Sequence, residues 1–201
     1  MDVADVMASL KRKGYAVSYF ENAQEAVVYL DDAVHNKTVG FGDSATLTSM
    51  GLFEKLCSHN EVFDPQHRPS GLDFIATAKQ CLTTEVYLTS VNSLAETGEI
   101  VNIDGTGNRV AGALFGHEKV FFVTGTNKLV PTLEDAIWRA RNIAAPKNAM
   151  RLGLRTPCAQ KGDRCYDCSS PDRICNGLLI HFQKMNDIAM EVVLIDENLG
   201  F

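Results

Sequence analysis

No run of about 18 apolar residues occurs in the 201-residue chain, so a membrane-spanning helix is not expected. Positive charge is in the minority: 19 Lys and Arg stand against 25 Asp and Glu, a formal net charge of −6 at pH 7. With a pI of about 5.3, the chain is not one that coats nucleic acid, because phosphate binding needs clustered cations. Only a local basic groove would serve such a ligand. There are just six prolines, while 45% of residues are hydrophobic, which excludes a wholly disordered chain. The Walker loop, the G-x-S-x-G elbow and the G-x-G-x-x-G fingerprint are all missing. No internal repeat and no low-complexity tract is present. The five histidines, His35, His59, His67, His117 and His181, form no H-x3-H pair and read as surface or satisfied core residues.

The opening MDVADVMASLKRKGY carries Asp2 and Asp5 and lacks the positive n-region and apolar core of a signal peptide. A cytoplasmic location is therefore expected. That compartment is reducing, so the six cysteines are better suited to metal ligation or to free thiols than to disulfides. Cys57 and Cys81 fall on helix faces and are expected to be buried.

The length suits one domain, residues 1–201, at roughly 150 residues per domain. Val3, Val6, Met7 and Leu10 predict a helix over residues 2–13, closed by Gly14. A short strand over 15–20 and a helix capped by Asn22 follow, the helix running to about Val34. Thr38–Phe41 reads as a buried strand, 45–57 as a helix and the proline-bearing 64–71 as a loop. Further helices are expected over 72–82 and 132–145. The second is capped by Thr132 and ended by Pro146. Strands are expected at 85–89, 99–103 and 119–123, and 178–182 with 190–196 reads as a closing strand pair. Strands and helices alternate over residues 15–145. The fold expected is thus α/β, with an open, mostly parallel sheet flanked by helices. Residues 156–177 interrupt the alternation as a cysteine-rich loop.

That loop carries the strongest chemical signal, Cys158-x6-Cys165-x2-Cys168-x6-Cys175. The central C-x-x-C lets two sulfurs converge on one centre, and the flanking segments can fold back with the other two. Four thiolates suit a [4Fe–4S] cluster or a zinc ion. Lys161, Arg164 and Arg173 can offset their charge. Four protein ligands close the coordination shell, which favours a structural or electron-transfer role over Lewis-acid catalysis.

Two glycine-rich loops form the other candidate site. Gly40, Gly42, Asp43, Ser44 and Thr46 lie between a strand and a helix, where glycines admit a ligand to the backbone and helix-start amides attract anions. The alternative is that Asp43 or Ser44 merely caps the helix. Asp104, Gly105, Thr106, Gly107, Asn108 and Arg109 follow a second strand, and Arg109 suits bidentate binding of a carboxylate or phosphate. In an open α/β sheet such loops gather at the carboxyl ends of strands. Ser90, Asn92 and Glu96, and Asn127 with Lys128, fall at further strand ends. Glu96 or Asp104 could move a proton.

The segments KTVGFGDSATLTSMGLFEKL, EVYLTSVNSLAETGEIVNIDGTGNRVAGALFG, GTNKLVPTLEDAIWRARNIAAP and TPCAQKGDRCYDCSSPDRICN resemble those of the lactate-utilisation (LUD) domain proteins, of the small-subunit type. The resemblance spans the whole chain. It implies a fold similar to that of ribose-5-phosphate isomerase, glucosamine-6-phosphate deaminase and the coenzyme A transferases. In that wider fold a glycine–hydroxyl loop often holds phosphate, which maps onto Gly40–Thr46, and an acid–glycine loop holds catalytic carboxylates, which maps onto Asp104–Gly105. Asp43 stands where many relatives carry a small residue. The implied role is that of a subunit working with iron–sulfur partners in lactate oxidation, on a small anionic metabolite. The alternatives are a stand-alone isomerase or acyl transferase, or a non-catalytic assembly module. Nothing in the sequence decides against a homo-oligomer.

Overall fold

The computed structural model describes residues 2–201. The chain opens with α1 (Val3–Arg12), whose first turn is capped by the Asp2 carboxylate accepting from Ala4 N, and continues into β1 (Ala16–Phe20). α2 (Ala23–Ala33) is capped by Asn22, which accepts from Glu25 N at 3.0 Å. β2 (Thr38–Phe41) follows, within the limits its apolar run implies. The helix expected over 45–57 is two short ones, α3 (Ala45–Ser49) and α4 (Leu52–Leu56). They are split at Gly51, whose φ of 64° no continuing helix adopts.

Next come β3 (Glu61–Phe63), α5 (Phe74–Cys81), β4 (Val86–Thr89), β5 (Ser93–Ala95), β6 (Ile100–Asp104) and α6 (Asn108–Gly112). β7 (Lys119–Gly125) leads through a 3-10 turn to β8 (Leu129–Val130). α7 (Leu133–Arg139), α8 (Ala145–Arg151), α9 (Pro157–Lys161), β9 (Gly177–His181) and β10 (Ala189–Ile195) complete the chain.

Six strands form one wholly parallel sheet in the order β1-β10-β7-β4-β2-β3. Both of its faces are covered, as parallel strands require. Leu30, Leu47, Leu52 and Leu56 pack on one face against Phe121 and Val193. Val6, Leu10, Ala113 and Ile100 pack on the other against Tyr87, Phe122 and Val192. A second, four-stranded sheet has the order β8-β5-β6-β9 and is mixed in direction. α7 packs on it through Ala136.

Several sequence expectations need correcting. The two last strands are not a pair: β9 lies antiparallel to β6 in the small sheet, while β10 is inserted between β1 and β7 in the large one. Pro146 does not end its helix. A π-helical turn at Ala140–Ala144 widens the backbone just before it, and the helix runs on into α8, which carries the proline in its first turn. Cys57 is exposed, whereas Cys81 is buried. His117 and His181 are buried but only half satisfied. One ring nitrogen of each meets a backbone carbonyl, and the other has no partner among the described residues.

Gly112 shows how tightly the core is drawn. A Cβ there would lie 2.5 Å from Cζ of Tyr87, a buried ring stacked on His117 with centroids 4.8 Å apart. Gly112→Ala is expected to cost about 1–3 kcal/mol through overpacking. Urea unfolding measures it, and an unchanged midpoint would mean that the ring yields freely.

Candidate functional site

β2, β4 and β7 are neighbours with parallel sense, so the segments after them open at one edge. β6 ends at the same place from the small sheet. Together they surround a cavity of about 130 Å³ lined by Ser44, Thr46, Ser90, Asn92, Asp104, Arg109 and Lys128. The two glycine-rich loops are therefore brought together, as the rule for strand ends in open α/β sheets leads one to expect.

Lys128 ends the 3-10 turn after β7 and is 3% exposed. Its Nζ donates to Thr46 Oγ1 at 2.9 Å and to Ser90 Oγ at 2.9 Å. Ser90 Oγ lies 3.2 Å from Thr46 Oγ1, to which it donates. Burial, helped by the charges of Arg139 and Arg109, pushes the lysine down to about 7. Arg139 is itself buried and donates to the backbone carbonyls of Asn92 and Asn127. Residues 199–201 close one corner: Thr46 Oγ1 donates to the Leu199 carbonyl, and Phe201 lines the cavity. Gly200, with φ 63°, sits so close that a Cβ would be 2.6 Å from Thr46 Oγ1.

Asp104 is buried at the end of β6 and acts as the cap of α6. One oxygen accepts from Gly105 N at 2.8 Å, the other from Arg109 N at 3.0 Å and Val110 N at 3.2 Å. The Arg109 guanidinium donates to the Ile103 carbonyl and lies 3.8 Å from the Asp104 carboxylate. Both carboxylate oxygens are thus occupied, and Asp104 fixes where Arg109 stands. Ser44 caps α3, accepting from Leu47 N at 3.4 Å. Asp43, with φ 47°, lines the cavity, but its carboxylate is held by the Gln66 amide.

The cysteine loop abuts this region. Asn176 N donates to the Asp104 carbonyl at 2.9 Å, its Nδ2 to the Gly105 carbonyl at 3.1 Å, and Ile174 lines the cavity. Cys158 lies on α9, its sulfur 3.3 Å from Thr156 Oγ1. The Arg173 guanidinium donates to the Cys168 and Cys175 carbonyls at 2.7 and 3.2 Å. A second cavity, of about 240 Å³, is lined by Cys165, Cys175, Arg141 and Arg173. All four cysteines are partly exposed free thiols. Burial pushes the Cys175 thiol up, against the opposing pull of Arg173. Four thiols on one loop beside a cavity and two guanidiniums match a thiolate-held group in donor chemistry. As arranged, no three His, Cys, Asp or Glu side chains among the described residues converge closely enough to hold a metal ion.

The model of the LUD domain matches residues 3–195. The chain belongs to the LUD domain family. It is in that general sense a protein of the lactate-utilisation type. Its structure is similar to that of a DUF162 family protein from Deinococcus radiodurans, with a TM-score of 0.53 and 13% identity over 97% of this chain and 99% of that one. At that identity the likeness is one of fold. Among curated proteins no match is found.

Not every residue singled out from the sequence joins the LUD-domain cavity. Gly105, Thr106 and Asn108 line it, together with the residues named above. Glu96 does not. It sits after β5, its N–H donating to the Val130 carbonyl at 2.8 Å, outside the lining. Gly40 and Gly42 are packing glycines: a Cβ would stand 2.5 Å from the Cys81 carbonyl at one and 2.7 Å from Thr89 Oγ1 at the other. Gly107 takes φ 93° to start α6. Asn127 supports the tail, its Oδ1 accepting from Leu199 N at 3.2 Å. Phe74, Asn148 and Arg151 line the cavity unannounced by any motif. Arg139 had one signal, a guanidinium next to the apolar stripe of a helix.

Proposed function

We propose that this LUD domain protein serves lactate or related hydroxy-acid oxidation as a subunit of an iron–sulfur system, binding a small carboxylate or phosphate in the cavity at the strand ends. The observation that carries the reading is the convergence of Lys128, Arg109 and the hydroxyls of Ser44, Thr46 and Ser90 on one small polar space. At about 130 Å³ it is well below the roughly 300–1,000 Å³ of pockets for drug-sized ligands, which suits a compact metabolite. Arg109 offers the fork that matches a carboxylate or phosphate. Asp104 positions that fork. Its two oxygens accept from three backbone amides.

In the same reading, Cys158, Cys165, Cys168 and Cys175 hold a [4Fe–4S] cluster or a zinc ion. A cluster there would supply electron transfer toward iron–sulfur partner subunits, and zinc would tie the loop together. Activity that needs those partners supports this assignment. Turnover by the purified chain alone supports the second reading, an enzyme in its own right. The observation in favour of that reading is the buried lysine against two hydroxyls.

Arg109→Ala is expected to weaken binding of lactate or inorganic phosphate by about 10- to 100-fold, the loss of charge-assisted hydrogen bonds of roughly 1.5–3 kcal/mol. Titration calorimetry reads this directly. Unchanged affinity for every anion tested would overturn the assignment of the cavity.

A further inference from the structure

We propose that Ser90 and Lys128 form a nucleophile–base dyad for acyl transfer, acting on a short acyl ester or thioester whose acyl part carries an anionic group for Arg109. Neither side chain caps a helix, closes a turn or forms a salt bridge among the described residues. Ser90 follows β4, where no cap or turn calls for a hydroxyl, yet its Oγ is aimed at Lys128 Nζ 2.9 Å away. Lys128 has no carboxylate partner among the described residues. A lysine 97% removed from solvent and without a counter-ion is costly to keep protonated. Its surroundings accordingly push it down to about 7, where the neutral amine is populated under ordinary conditions. A neutral amine is an acceptor, and the 2.9 Å contact then lets Ser90 donate its proton.

Thr46 completes the geometry. Its Oγ1 is held at one side by the Leu199 carbonyl and meets both Lys128 Nζ and Ser90 Oγ. It fixes the lysine's approach and is a positioning residue. The charge of Arg109, close enough to help depress Lys128, stands in the same cavity and can hold the substrate's anionic end.

The step balances without a co-reactant beyond water or an acceptor alcohol. Ser90 Oγ bonds to the acyl carbon as its proton passes to Lys128 Nζ. The C–O or C–S bond to the leaving group breaks, and that group departs with the proton from Lys128. Water or an alcohol then attacks the acyl–Ser90 ester, gives its proton to Lys128, and the serine oxygen recovers it on release.

The inference shares a cavity with the preceding reading but not its ligand, so the two fail separately. Labelling at Ser90 without lactate or phosphate binding would keep the dyad alone. Binding without labelling would keep the anion site alone. The full chain is treated with p-nitrophenyl acetate and with a fluorophosphonate, and the modified residue is located by peptide mass mapping. The expected result is a label on Ser90 whose rate rises through a pH of about 7. The label is absent in Ser90→Ala and forms about 10²-fold more slowly or worse in Lys128→Met. Because Lys128→Met removes a buried group, circular dichroism must show that it folds. Where it does not, Ser90→Cys decides: with Lys128 in place, the new thiol is expected to react with iodoacetamide at lower pH than the exposed Cys57. A label on Lys128 or Thr46, no label at Ser90, an undiminished rate in folded Lys128→Met, or an ordinary thiol pH dependence in Ser90→Cys would overturn the proposal.

Discussion

Cys165→Ser is expected to empty the tetracysteine loop of its metal. Chain purified without oxygen should carry either the brown chromophore and iron of one [4Fe–4S] cluster or about one zinc. The serine variant should carry neither in full stoichiometry. The same outcome is expected for Cys158→Ser, Cys168→Ser and Cys175→Ser. Cys57→Ser and Cys81→Ser should keep the metal, since these two lie outside the loop. The effect should extend beyond metal content. Where a loop has little regular structure, binding free energy at a metal site is folding free energy, on the order of 10 kcal/mol for structural zinc. Residues 162–176 contain no helix or strand, so under the proposed assignment a metal would supply much of their tie. Limited proteolysis should therefore cut the serine variants within this loop. Chain that is metal-free when grown with ample iron and zinc would remove the proposal outright.

Lys119→Met is expected to lower stability at neutral pH by about 1–3 kcal/mol, the cost of leaving the buried Glu191 carboxylate without its half-exposed cation. Glu191, 3% exposed on β10 between β1 and β7, has Lys119 Nζ at 2.8 Å and accepts from Tyr29 Oη at 2.6 Å and Ser18 Oγ at 2.7 Å. Burial alone would raise its pKa, but the lysine and the two hydroxyls more than offset that and hold it below the usual carboxylate range. The sign then follows. A carboxylate lowered by folding contributes stability above its unfolded pKa of about 4.3 and loses it as pH falls through the lower, folded value. Without Lys119 the burial effect is left with weaker opposition, so acid unfolding should begin at higher pH. Urea unfolding at neutral and at acid pH tests both parts. The exposed pair of Lys37 with Glu85 provides the contrast, and Lys37→Met should cost nothing measurable. Equal midpoints for Lys119→Met and the unsubstituted chain would show that Tyr29 and Ser18 suffice to hold the charge.

Much of this architecture was legible because local signals and tertiary demands agree. Asn22 and Thr132 stand where helices start, and their side chains do accept from the first-turn amides. Thr38–Phe41 is an apolar run bounded by turn residues, and it is a central strand. What was hidden depends on partners distant in sequence. β5 and β8 are three and two residues long and exist only because they pair with each other, β5 pairing with β6 on its other side. Nothing in LLIHF or MEVVLID distinguishes strands that pair together from strands that join different sheets. The two glycine loops were visible as polar, turn-rich strings after strands, and their meeting follows from strand direction. Glu96 shared that placement but follows β5, which runs in the other sheet and carries it away from the cavity. Lys128 could be named from sequence, but its burial could not. That arises from Thr46, Ser90 and Arg139 closing round it from three separate segments.

The position of β10 bears on how the molecule comes to fold. The strand lies between β1 and β7, and its partners in β1 are residues 16–20, so the contacts that close the large sheet span most of the chain. Such non-local pairing slows folding, because the loop-closure entropy is lost before the contacts that offset it can form. Until residues 189–195 are made, β7 has one unpaired edge and residues 16–20 have no strand partner, exposures of the kind that recruit other chains. The large sheet is complete only once β10 has entered it, although β7, β4, β2 and β3 pair with one another without it. A nascent chain stalled before Ala189 would need shielding by chaperones to escape aggregation.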